Sequence, residues 1–218
     1  MALGFIKTLT GKRATKTPAP RRLEIVENTG SAMAQSYAGR AALVLLSHPA
    51  MHRSRVNAAL LGAVRARPDV TVHDLYKHYP DFVIDADAEQ KKLLAHRLIV
   101  LQFPFYWYST PALLKEWMDT VLLHGFAFGR GGDQLHGKTV MVAASTGGDP
   151  AAYHAEGYNR FTIAELLRPL EATAHLCGLT WAEPFIVHDA IHIDADEREK
   201  AAAAYDARLS ALIEADRA

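Results

Sequence analysis

From residue 41 onward, short apolar runs alternate with longer segments whose apolar residues recur at helical spacing. The runs at 42–47 (ALVLLS), 98–103 (LIVLQF) and 139–144 (TVMVAA) are nearly continuous in hydrophobicity, which marks strands covered on both faces of a parallel sheet. Two further β-rich runs lie at 70–76 (VTVHDLY) and 185–188 (FIVH). Helical periodicity occupies 53–67, 86–96, 111–124 and 162–177, with a last helix over 194–215. Strict alternation of this kind requires right-handed crossovers and predicts a three-layer α/β sandwich.

Punctuation residues refine these boundaries. Thr110 and Pro111 are placed to cap and open the helix that follows the third strand. Pro169 falls inside the fourth helical segment and should interrupt it, because proline lacks an amide donor and clashes with the preceding turn. Asp194 or Asp196 is available to cap the last helix, whose AAAA run and neighbours are strong helix formers.

Residues 1–40 lack this periodicity and contain TPAPRR, so they read as a basic, mostly irregular extension ahead of one domain over 41–218. Seven Lys or Arg residues face only Glu24 and Glu27 there, and the rest of the chain balances the excess, leaving no net charge. A solvated tail, an anionic partner and an organellar address are all compatible with it. The neutral balance gives no support to a nucleic-acid-binding core. No apolar run is long enough to span a bilayer, and Cys177 is the single cysteine, so a soluble chain in a reducing compartment is expected. Followed by Gly178 at a helix end, Cys177 reads as a core thiol rather than a nucleophile.

Open parallel sheets bind ligands beyond the carboxyl ends of their strands, where strand order reverses. After the first strand comes SHPAMHRSRVN, which has neither a GxGxxG turn nor a GxxxxGK[ST] loop. His48, Ser54 and Asn57 bring polar hydrogens to the mouth of a helix whose amides favour an anion, although a capped helix with a loop histidine reads the same way. After the third strand, FPFYWYSTP crowds aromatic rings into a turn. Rings at a ligand edge suit a flat conjugated molecule, or else form a hydrophobic cap or a dimer contact. After the fourth strand, Gly147 and Gly148 permit close backbone approach and Tyr153 adds a hydroxyl; a plain glycine turn is the alternative.

Two other chemistries are weaker. Ser109, Asp119 and His124 contain the residue types of a hydrolase triad, but no G-x-S-x-G elbow accompanies them. HDAIHID offers His188, Asp189, His192 and Asp194 without the i, i+4 histidine pair of a zinc protease helix, so no metal site is expected.

Together, HPxxxxSxxN, FPxYWYSxPALLKEWxDxVLxHGFAFG and TGG with a following tyrosine resemble the flavin-dependent NAD(P)H:quinone oxidoreductase family. Its small branch, the ancillary flavoproteins of glutathione-gated potassium efflux systems, is the most similar. The resemblance runs from about Ala41 to the last helix. It implies a flavodoxin-like three-layer sandwich with a five-stranded parallel sheet in order 2-1-3-4-5, assembled as a homodimer with HGFAFG as the dimer-side wall of the pocket.

The same resemblance assigns flavin-binding roles residue by residue. The phosphate falls on His48, Ser54, Arg55, Val56 and Asn57, and the isoalloxazine on Pro104, Phe105, Tyr106, Trp107 and Tyr108, with Ser145, Thr146, Gly147 and Gly148 on the fourth loop. The short chain favours FMN over FAD. Larger relatives place a tyrosine and a histidine near the reacting ring; Tyr153 matches the first as the catalytic residue, but Asn159 stands at the histidine position. The implied activity is ping-pong hydride transfer from NAD(P)H to a quinone. A regulatory subunit of a potassium efflux transporter is the alternative, with a cytoplasmic location or a peripheral one at the inner membrane face.

Overall fold

The computed structural model describes residues 41–216, so the extension expected over residues 1–40 lies outside the described residues. Strands β1 (Ala42–Leu46), β2 (Val70–Asp74), β3 (Leu98–Pro104) and β4 (Thr139–Ser145) are followed by two short strands, β5 (Thr180–Trp181) and β6 (Phe185–Val187). All pair in parallel, in the order β2-β1-β3-β4-β5, with β6 also against β4. The expected 2-1-3-4-5 topology is therefore present. Its fifth position holds two pieces rather than one: β4 pairs with Thr180 and Trp181 near its start and with 185–187 near its end. Pro184, which cannot donate a ladder hydrogen bond, stands between the pieces.

Among the described residues, seven α-helices accompany this sheet. They are α1 (Val56–Val64), α2 (Leu75–His78), α3 (Ala86–Ala95), α4 (Ala112–Val121), α5 (Ile163–Leu166), α6 (Arg168–Leu176) and α7 (Ala195–Ala215). Side chains alternate across a strand, so Leu43 and Leu45 join the layer under α3, α4 and α6 while Ala42 and Val44 join the layer under α1 and α7. Every residue of β1 and β3 is buried, which is why those strands read as apolar runs broken only by Gln102. Among the described residues, no helix is long and apolar enough to cross a membrane.

Several boundaries depart from the sequence expectation for identifiable reasons. The run at 70–76 stops at Asp74, whose carboxylate accepts from the Lys77 amide and starts the single turn of α2. The segment at 53–67 begins as a 3₁₀ turn, Met51–Arg53, before α1 proper. Thr110 does not cap α4; Pro111 is itself the boundary residue, with no side-chain cap. Pro169 divides the fourth segment into α5 and α6 as anticipated, and Asp194 closes a capping box with Glu197 on α7. Cys177 is buried, and burial pushes its thiol pKa up, in keeping with an unreactive core position.

Candidate functional site

The loops after β1, β3 and β4 meet at one edge of the sheet and enclose two adjoining cavities of about 530 and 280 Å³. The larger is walled by His48, Ser54, Arg55 and Val56 from the first loop, by Pro104, Phe105 and Tyr106 from the second, and by Ser145, Thr146 and Gly147 from the third. The smaller one is lined by Trp107, Tyr108, Gly148 and Tyr153. Phe105 and Gly147 belong to both, so the two cavities form one groove along the ends of β3 and β4.

One end of the groove gathers the donors that an anion would need. The N-terminus of α1 has no side-chain cap, and Arg55 sits at its boundary, so helix amides and a guanidinium converge there. His48 Nδ1 accepts the Ala50 amide at 3.0 Å, which leaves the proton of a neutral ring on Nε2 as a donor. Burial pushes the His48 pKa down, against the raising influence of its local backbone hydrogen bond and Asp74, and so favours that neutral form. The Arg55 guanidinium also donates to the Ile191 carbonyl, joining the first loop to the segment after β6.

The other end is flat and aromatic. Tyr106 and Ser109 exchange both backbone hydrogen bonds, 3.1 and 2.9 Å, across a two-residue turn whose central residues, Trp107 and Tyr108, have φ of 47° and 61°. Such a turn favours Asn-Gly, and bulky residues held in the left-handed region mark a conformation kept for something other than stability. Trp107 is 92% exposed in consequence. The Tyr108 hydroxyl donates to Asn159 Oδ1 at 3.1 Å, tying the turn to the loop that carries Tyr153.

The third loop is fastened from behind by the segment after β6. Thr146 N–H donates to the Val187 carbonyl, Ala190 N–H to the Thr146 carbonyl and Asp189 N–H to the Gly148 carbonyl, at 2.9, 2.9 and 3.0 Å. These bonds hold Gly147 and Gly148 open toward the groove. A Cβ on Gly148 would lie 3.3 Å from the Tyr153 ring, so this glycine is what lets the tyrosine fold over the loop.

Of the residues expected to bind, Asn57 alone lines neither cavity. It is buried beneath the groove, donating from Nδ2 to Ser145 Oγ at 2.9 Å. Arg53, Ala190 and Ile191 line the groove without having been singled out in the sequence. Arg53 stood within the first motif, but Ala190 and Ile191 reach the site only because the β6 strand runs beside β4.

The alternative chemistries do not assemble. Asp119 pairs with Lys115 on an exposed face, His124 stacks edge-on against Phe128, and Ser109 closes the aromatic turn, so no triad forms. His192 is bonded to Asp189 at 2.6 Å and Asp194 caps α7. Among the described residues, no cluster of three His, Cys, Asp or Glu is placed to hold a metal.

The chain is similar in sequence and fold to several known proteins. A glutathione-regulated potassium-efflux system ancillary protein, KefG, from Pectobacterium atrosepticum is 48% identical, over 77% of this chain and 92% of its own length. The crystal structure of general stress protein 14 in complex with FMN from Treponema denticola has a TM-score of 0.75 and 40% identity, covering 79% of this chain and 99% of that one. An NADPH-quinone reductase structure from P. pentosaceus gives 0.71 and 34%, covering 77% and 96%. Residues 40–209 match the sequence model of the flavodoxin-like fold, and the chain belongs to that family.

Proposed function

We propose that this protein is an FMN-dependent NAD(P)H:quinone oxidoreductase working by a ping-pong mechanism, as a homodimer. The observation that carries the reading is a single groove with an anion-binding end and a flat aromatic end. That donor set fits FMN: one phosphate for Arg55, Arg53, Ser54, the His48 Nε2–H and the uncapped α1 amides, and one planar ring for Phe105, Tyr106 and Trp107. FMN in the similar Treponema denticola structure and NADPH-quinone reductase as the name of another neighbour support the choice.

FMN, when bound, supplies the hydride chemistry that no side chain of the site can provide. The chain's own share is to bind, orient and shield. Gly147 and Gly148 present backbone amides, and Tyr153 presents a hydroxyl, where negative charge would grow on the ring; such dipoles act most strongly where water is excluded. Asn159 accepts from Tyr108 and has no titrating proton, so the tyrosine–histidine pair of larger relatives is not reproduced at its expected positions. Because donor and acceptor would use one groove, the first product must leave before the second substrate enters.

The test is an absorbance spectrum of the protein reconstituted with FMN, followed by initial rates at several quinone concentrations. A flavin spectrum and parallel double-reciprocal lines are expected. No bound flavin, or intersecting lines, would overturn the reading.

A second reading is favoured by the similarity to the KefG protein over most of both chains. In it the chain is an ancillary subunit of a potassium efflux transporter, held at the inner membrane face. Co-purification with such a transporter that persists in a variant unable to reduce flavin would support this role; loss of the transporter under mild extraction would count against it.

A further inference from the structure

His188 lies directly behind the groove, on the segment that fastens the third loop, and has no part in the functional reading above. Its Nδ1 is 3.0 Å from Thr146 Oγ1, while the Thr146 hydroxyl donates its only proton to the Gly148 carbonyl at 2.8 Å. With that proton committed, Nδ1 must be the donor, and the lone pair of the neutral ring sits on Nε2. The ring also packs against Tyr153, with centroids 5.4 Å apart. Thus one imidazole touches both Thr146, which lines the phosphate-side cavity, and Tyr153, which lines the ring-side cavity.

We propose that His188 is the proton-holding residue of this site: Nδ1–H stays tied to Thr146 while Nε2 takes up one proton as negative charge develops in the groove. The inference rests on the flavin reading. Hydride carries two electrons and one proton from NAD(P)H, so the acceptor gains one negative charge, and a proton from water on Nε2 offsets it. When hydride passes on to the quinone, that proton is released and hydroquinone formation consumes one. NAD(P)H, quinone and one proton thus give NAD(P)+ and hydroquinone. His188 acts through Thr146 and Tyr153 and is therefore a positioning and charge-balancing residue.

The surroundings set its resting state. Burial lowers the His188 pKa, opposed by the Gly148 carbonyl and the Asp149 carboxylate, so the ring is neutral while the groove holds no added charge. The Tyr153 ring packs against it at a tilt of 44°. Two other histidines are placed otherwise: His48 lines the larger cavity, and His154 is exposed, accepting the Glu156 amide at 3.1 Å.

The experiment is a site-resolved NMR titration of His188 in histidine-labelled protein, assigned with His188→Asn. It is run flavin-free, loaded with oxidised FMN, and after reduction by NAD(P)H or dithionite. Expected are an Nδ1-protonated neutral ring and a pKa below about 6.5 in the first two states, rising by about one unit or more on reduction. A change under about 0.3 units on reduction, or an Nε2-protonated ring in the flavin-free protein, overturns the inference. If FMN binds and is reduced while His188 does not move, only this proposal fails. If FMN does not bind, the functional reading fails first, and the tautomer of the flavin-free protein still tests the geometry.

Discussion

Asn57 Nδ2 donates to Ser145 Oγ at 2.9 Å across 88 positions of sequence, pinning the first turn of α1 to the end of β4. The bond continues a buried chain, in which Gln102 Nε2 donates to the Asn57 carbonyl at 3.0 Å and Tyr205 Oη donates to Gln102 Oε1 at 3.2 Å. Four elements, α7, β3, α1 and β4, are thereby held in register beneath the groove.

Asn57→Ala removes the donor to Ser145 and leaves a buried hydroxyl without its partner. The expected loss is about 1–3 kcal/mol by urea unfolding, the range for a broken buried hydrogen bond. Because this bond joins the start of α1 to the end of β4, whose residues Val56 and Ser145 line the larger cavity, the proposed FMN affinity should fall at least about tenfold as well. A loss of stability with unchanged FMN affinity would show that the bond supports the core and not the groove.

The Trp107–Tyr108 turn predicts opposite effects on stability and binding. Trp107→Asn supplies a residue that adopts positive φ readily and removes a ring that is almost wholly exposed in this chain, while Tyr108 keeps its hydrogen bond to Asn159. Stability should rise by about 1 kcal/mol, with Tm increasing by about 2–4 °C. FMN affinity should drop by about tenfold or more, since aromatic stacking is lost. A Trp107→Asn variant that is less stable than the parent would overturn the strain argument.

Much of this architecture was legible because burial on both faces leaves an unmistakable trace. β1, β3 and β4 are apolar but for Gln102 and the terminal Thr139 and Ser145, and Asp194, one of the two cap candidates, does start α7. The edge of the sheet was not legible in the same way. β6 was read from its FIVH run, but β5 contains only two residues, too few for a periodic signal, and Pro184 divides the two. The groove followed the same division. Its first three loops carry chemistry in their residue types, whereas Ala190 and Ile191 are ordinary side chains delivered by strand order. His188 was legible only as a member of a metal-like cluster, because its contact with Tyr153 spans 35 positions and depends on β6 lying beside β4.

Arg55 and Arg53 both line the phosphate-side cavity, but only Arg55 is also bonded to the Ile191 carbonyl. Arg55→Ala should weaken FMN about 10–100-fold, the scale of one charge-assisted hydrogen bond, and should flatten the salt dependence of binding. Arg53→Ala should also reduce the salt dependence while leaving the Arg55–Ile191 contact intact. Fluorescence titration of FMN at low and high salt separates the two, and unchanged salt dependence in both variants would remove arginine from the phosphate site.

The last prediction concerns stability away from the groove. Glu89 is fully buried between β2, α3 and α4, and four donors converge on it: His73, Tyr79 and Lys92 on Oε1 at 2.9, 2.6 and 2.7 Å, and Trp117 on Oε2 at 2.8 Å. Burial opposes ionisation, but the hydrogen bonds and charge of His73, with Lys92 and Tyr79, outweigh it and hold the carboxyl down at about 2, below its usual 4.5. The folded state therefore binds fewer protons than the unfolded one between these limits. The associated stabilisation, about 3 kcal/mol, is fully present above pH 4.5 and is lost as pH falls toward 2. Glu89→Gln keeps the shape but removes the titrating charge, so its stability should be lower at pH 7 and should fall less steeply across the same window. Urea unfolding at pH 7, 4.5 and 3 measures both slopes. Parallel slopes for the two proteins would mean that acid sensitivity arises from other carboxylates and that the Glu89 cluster contributes packing rather than charge.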